Sequence, residues 1–136
     1  MADAELPPII AAWFEAKGWT FRRHQREMLA AAQAGKSALL VAPTGAGKTM
    51  AGFLPSLAEL IEQPREGLHT LYISPLKALA VDVQRNLLDP IEEMGLPIRV
   101  ETRTGDTPAD RKARQRVRPR RPAARREPRL EPLRQR

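Results

Sequence analysis

Cysteine is absent from the 136 residues, so neither a disulfide nor a thiolate-bound metal can support what must be a small core. A long apolar run is missing too. The stretch 9–14 is short, follows Asp3 and Glu5, and is soon broken by Glu15 and Lys17. That excludes a secretion signal and a membrane span, so no membrane partner is expected and the expected location is cytoplasmic. No internal repeat is present. Positive charge is scarce over most of the chain: residues 1–110 carry 11 basic and 14 acidic side chains, against 12 and 2 in residues 111–136. The net charge of +7 is thus a property of the C-terminus, and the body is slightly acidic.

The most informative stretch is Ala42-Pro43-Thr44-Gly45-Ala46-Gly47-Lys48-Thr49. It follows the apolar run 38–41 and precedes a segment with helical apolar spacing, which is the strand, loop, helix order of a phosphate-binding loop. Gly45 and Gly47 can adopt positive φ and let backbone N–H groups close on phosphate oxygens, with Thr44 and Ala46 between them. The helix that starts at Lys48 aims its positive end at the same anion. Lys48 adds a charge for the outer phosphates, and the Thr49 hydroxyl is placed to ligate Mg²⁺. One departure is visible. The first position of the GxxxxGK[ST] pattern is Ala42 instead of Gly.

Around this loop the periodicity predicts helices over 6–17, 22–33 and 48–62, with Gly18 and Gly35 closing the first two and Pro55 kinking the third. Strands are predicted at 37–42, 68–74 and 97–103, the first buried on both faces. Ser74-Pro75 is predicted to cap a further helix with Leu76, Leu79, Val83 and Leu87 on one face. Thr107-Pro108-Ala109-Asp110 opens a last short one. Strands alternating with helices predict an α/β fold with a parallel sheet. Residues 117–136 hold 8 Arg, 4 Pro and 2 Ala, and such a segment is expected to be disordered.

Three clusters accompany the loop. Phe21-Arg22-Arg23-His24-Gln25 lies upstream, where a Gln amide can pair with the adenine edge and an Arg plane can stack on its face. Ser74-Pro75-Leu76-Lys77-Ala78-Leu79 presents a helix N-terminus and a cation suited to a nucleic-acid phosphate. Thr102-Arg103-Thr104-Gly105-Asp106-Thr107 is a turn rich in donors. Each alone has a plain structural reading as a solvated helix residue, a cap or a turn; their order around one phosphate loop is what carries weight.

In segments 21–25, 42–49, 71–86 and 98–107 the sequence resembles the first RecA-like domain of superfamily 2 DEAD/DEAH-type helicases. Within the large helicase-related group it is most similar to the bacterial ligase-associated DNA damage response helicases. The resemblance implies ATP and Mg²⁺ as ligands, with Arg22 and Gln25 at the adenine and residues 42–49 at the phosphates. It places Ser74, Lys77, Arg85, Thr104, Gly105 and Asp106 on the face that follows nucleic acid, DNA more readily than RNA, and it gives His24 no role. It also implies two adjacent acids at the end of an apolar strand and an arginine finger from a second domain. No apolar run followed by Asp-Glu occurs here; the adjacent acids Glu92-Glu93 follow Pro90-Ile91.

The expectation is therefore a truncated, partial RecA-like sheet flanked by helices (residues 1–116), followed by a basic tail (117–136). Arg outnumbers Lys 18 to 5, which fits a GC-rich gene read out of frame; a genuine basic arm for nucleic acid is the alternative. The functional alternatives are a non-enzymatic basic nucleic-acid-binding fragment and, less well matched, a small-molecule kinase.

Overall fold

A computed structural model describes residues 4–43, 45 and 47–115; Thr44, Ala46 and the predicted tail 117–136 lie outside the described residues. Among the described residues five helices follow one another: α1 Pro8–Ala16, α2 Arg23–Gln33, α3 Lys48–Glu62, α4 Lys77–Glu93 and α5 Ala109–Gln115. None of the described helices is long and apolar enough to cross a membrane.

The helices start and stop where local chemistry dictates. Proline occupies the opening turn of α1, where its missing N–H costs nothing. α1, α2 and α4 each end in a glycine of positive φ, Gly18, Gly35 and Gly95. In each, that glycine's N–H and the next one reach back to two of the helix's last carbonyls, as Gly18 does to Glu15 and Trp19 to Phe14, both at 2.9 Å. α3 runs unbroken through Pro55. α4 begins two residues later than predicted: its N-cap is Leu76 instead of Ser74, and the Ser74 hydroxyl donates to the Leu76 carbonyl at 3.3 Å.

The core lies between helices. Ile10, Trp13 and Phe14 of α1 meet Phe53, Leu54 and Leu57 of α3 and Leu87 and Ile91 of α4. On the other side of α3, Ala58 packs with Leu29 of α2 and with Ala4. The spacings i, i+3, i+4 on α1 and α3 are the helical stripe that the sequence displays.

The α/β parallel sheet is not there. No strand forms among the described residues, and segments 37–43 and 68–75 make no backbone–backbone hydrogen bond. The first of these was expected to be buried on both faces, yet Leu39 is 88% and Val41 85% exposed. The physical reason is that a strand, unlike a helix, draws its hydrogen bonds from a neighbour about 4.8 Å away. Among the described residues no backbone–backbone hydrogen bond links the runs 37–42, 68–74 and 97–103 to one another. Segment 68–74 is instead tethered to α3 through side chains: Thr70 donates to Ser56 at 2.8 Å, and the Tyr72 ring lies tilted against Phe53 with centroids 5.5 Å apart.

Candidate nucleotide and nucleic-acid sites

The phosphate loop has the backbone its sequence requires. Gly45 and Gly47 sit at φ +80° and +77°, the region only glycine enters without strain. Gly47 is the N-cap of α3 and Lys48 its first residue, with no capping side chain and no acid in the first turn. The helix therefore presents free N–H groups and its positive end beside the exposed Lys48 and Thr49. Thr44 and Ala46, also assigned to this site from sequence, lie outside the described residues.

Arg22 and Gln25 lie against that loop. Gln25 is 5% exposed, the one buried polar residue among those described. Its Oε1 accepts the Arg22 N–H at 3.0 Å, satisfying the backbone donor at the N-cap of α2. Its Nε2 faces Gly47 so closely that a Cβ there would stand 3.0 Å away. Arg22 in turn donates from Nη1 to the Gly45 carbonyl at 3.4 Å. The two residues expected at the adenine thus brace the phosphate loop directly. Neighbouring His24 keeps a buried Nε2 with no partner among the described residues.

A cleft of about 570 Å³ opens beside this junction. Gly45, Gly47 and Thr49 form one side, Arg22, Gln25 and Trp19 the next, and Trp13, Lys17, Asp89 and Glu93 the far wall. That wall is closed by a device the sequence reading missed. The Glu93 carboxylate accepts Trp13 Nε1 at 2.7 Å and Lys17 Nζ at 2.8 Å, joining two turns of α1 to the last turn of α4. Nothing in the local pattern marks it, because the partners are about 80 residues apart. Glu93 attracted notice only as half of an adjacent acidic pair.

The Lys17 ammonium, and then the Trp13 indole, hold the Glu93 carboxyl below its ordinary pKa. Its contribution to stability is therefore present above the unfolded-state pKa and lost as pH falls through the lower folded value. Thermal melts from pH 7 down to pH 3 should show this loss, and Glu93→Gln should flatten that part of the profile. Coincident profiles for the two proteins would refute the role of Glu93.

The residues assigned to nucleic acid fall into one cluster and one outlier. The Lys77 ammonium, on the first residue of α4, is ion-paired with the Asp106 carboxylate. The turn carrying Asp106 is braced by the Thr104 N–H donating to Thr107 Oγ1 at 2.8 Å and by Lys112 Nζ donating to the Gly105 carbonyl at 2.8 Å. Ser74 lies just ahead of α4, partly buried. Arg85, further along α4, is exposed and apart from this cluster.

Comparison with known proteins agrees with these features. Residues 22–123 match the DEAD/DEAH box helicase family. The chain is 45% identical over 101 residues to the Lhr helicase/probable uracil glycosylase of Mycolicibacterium smegmatis, covering 65% of this chain and 7% of that protein. It is 41% identical over 113 residues to the ATP-dependent helicase Lhr-Core of Saccharolobus solfataricus, covering 75% of this chain and 13% of that one. The chain thus spans a small part of the length of the curated relatives it matches. Among solved structures, the DUF1998 helicase MrfA bound to DNA and AMPPNP superposes with a TM-score of 0.74 at 32% identity, over 82% of this chain and 16% of that one. The path of the backbone therefore follows a helicase even where the sheet hydrogen bonds are absent. The helicase resemblance carried by the motifs is borne out, and the chain belongs to the DEAD/DEAH box helicase family.

Proposed function

We propose that this chain is the ATP-binding and nucleic-acid-binding segment of an ATP-dependent DNA helicase that works in DNA repair. By itself it binds nucleotide without turning it over. The observation that carries this reading is the junction of phosphate loop and α2: two positive-φ glycines open a 15-residue helix, and Arg22 and Gln25 brace them. The cleft beside it is in the size range of small-molecule sites.

These residues fit magnesium-bound ATP. Gly45, Gly47 and the first turn of α3 would hold the phosphates, Lys48 would pair with the outer ones, and Thr49 would offer one oxygen to Mg²⁺. A single protein ligand suits Mg²⁺, which keeps waters and phosphate oxygens for its other positions. The cation would neutralise charge on the phosphates and fix their geometry.

Turnover needs more than this cradle. An acid must position the attacking water, and an arginine must meet the charge that develops. The 136 residues contain no Asp-Glu at the end of an apolar run, and Glu93 is engaged with Trp13 and Lys17. DNA as the polymer is supported by the MrfA structure, which holds DNA and AMPPNP. A role in repair is supported by the resemblance to the ligase-associated helicases and by the mycobacterial relative, whose name joins a helicase to a probable uracil glycosylase. We read residues 1–116 as the helicase segment and 117–136 as a separate basic tail.

A second reading, a basic fragment that binds nucleic acid without chemistry, is favoured by the charge of residues 111–136, which carry 12 basic and 2 acidic groups. One set of titrations separates the two. Calorimetry should detect ATP binding in the presence of Mg²⁺, with no steady phosphate release from clean protein. Single-stranded DNA should bind weakly and with a steep dependence on salt, residues 117–136 adding affinity to that of the face around Lys77. A steady hydrolysis rate would overturn the inactivity, and absence of ATP binding would leave only the basic fragment.

A further inference from the structure

An acid on a surface meant for a polyanion needs a reason, and the geometry at Asp106 offers one. α4 has no side-chain cap and no acid in its first turn. The anion at that end of the helix comes from 29 residues further on, as the Asp106 carboxylate on Lys77. Its placement is built in, because the turn is closed by Thr107 on one side and by Lys112 on the other. The same contact, and the ammonium of Lys112 beyond it, keeps the Asp106 carboxyl below its ordinary pKa, so it is charged at neutral pH.

We propose that Asp106 is an internal stand-in for a nucleic-acid phosphate: it occupies Lys77 in the free chain, and a backbone phosphate of a bound strand takes Lys77 by displacing it. This rests on the reading of Ser74, Lys77 and the 104–106 turn as a strand-binding face. The consequence is a threshold. A single phosphate or a dilute anion gains little by replacing a tethered carboxylate. A strand that also meets the α4 N-terminus and the N–H groups of the turn gains enough to do so. Once displaced, Asp106 repels the strand on which it has lost its partner, so the contact tightens discrimination at the expense of affinity.

The test is fluorescence anisotropy with a labelled single-stranded oligothymidine at fixed low salt. Asp106→Asn keeps the side chain's shape and removes its charge; it should bind about two- to fivefold tighter than the unmodified chain, the worth of an exposed ion pair. Lys77→Ala should bind more weakly, and adding Asp106→Asn to it should gain less than the same change gains in the unmodified chain, since only the repulsion of an unpaired carboxylate is then relieved. Asp110→Asn is the control for bulk charge, since Asp110 pairs with Arg114 at 3.1 Å and not with Lys77. Helicity by circular dichroism checks each variant, and Asp106→Ala repeats the measurement with a second side chain. Unchanged binding in both Asp106 variants, or an equal gain from Asp110→Asn, overturns the stand-in while leaving the strand-binding face intact. Unchanged binding in Lys77→Ala removes that face and the proposal with it.

Discussion

Replacing Lys48 with Ala is expected to weaken ATP binding by about ten- to a hundredfold. Lys48 is the one cationic side chain in residues 42–49. It stands on the first residue of α3, exposed, at the end where the helix already favours an anion. A hydrogen bond to a charged group contributes roughly 1.5–3 kcal/mol, which converts to about one to two decades in affinity. Because the side chain is exposed, its removal should shift folding stability by no more than about 0.5 kcal/mol. Loss of affinity would then report the site and not the fold. Thr49→Ala makes a companion: its ATP affinity should respond less to Mg²⁺ than that of the unmodified chain. Calorimetric titration with and without Mg²⁺ measures both, and an unchanged affinity in Lys48→Ala would remove the phosphate assignment.

The sequence disclosed helices better than strands, for a physical reason. α3 spans the predicted 48–62, and α2 differs from its prediction by one residue, because caps, apolar stripe and closing glycine all lie within the segment itself. The runs at 37–42, 68–74 and 97–103 have the apolar composition of strands, but pairing is a property of two segments. Leu39, Val41, Leu71 and Ile73 are left in solvent by neighbours that are not beside them. Apolar exposure on this scale marks surfaces that other protein covers. The superposition on MrfA at a TM-score of 0.74 shows that the backbone follows a helicase path although no strand is hydrogen-bonded among the described residues.

Site residues show the same division. Gly45, Gly47, Lys48 and Thr49 can be proposed as a phosphate cradle from the sequence because one short stretch carries them all, and the positive φ of both glycines agrees with that reading. The contacts of Gln25 could not be read, since its burial against Gly47 depends on how α2 lies on α3. Glu93 was not legible as a partner of Trp13 and Lys17, and the pairing of Lys77 with Asp106 was not visible in two motifs each read alone. Chemistry that a contiguous stretch contains can be read from it. Chemistry made by packing has to be seen.

Gly47→Ala should be the most damaging substitution in the loop, and the reason separates into two parts. At φ +77° an alanine meets the steric penalty of the left-handed region, roughly 1–2 kcal/mol. Its Cβ would also stand 3.0 Å from Gln25 Nε2. Gln25 is buried and its Oε1 holds the Arg22 N–H, so moving the side chain away gives up a neutral hydrogen bond of about 0.5–1.5 kcal/mol. Together these put the cost near 2–3 kcal/mol in the native loop. Gly45→Ala has a similar φ, +80°, but nothing lies within 4 Å of the added carbon, so it should carry the backbone part alone. The difference between the two variants isolates the contact with Gln25. Combining Gly47→Ala with Gln25→Ala should cost less than the sum of the two single substitutions, because the hydrogen bond from the Arg22 N–H is lost only once. Urea denaturation gives the stability of each variant, and calorimetry with ATP gives the loop's competence. Equal effects of Gly45→Ala and Gly47→Ala in both measurements would mean that Gln25 does not brace the phosphate loop.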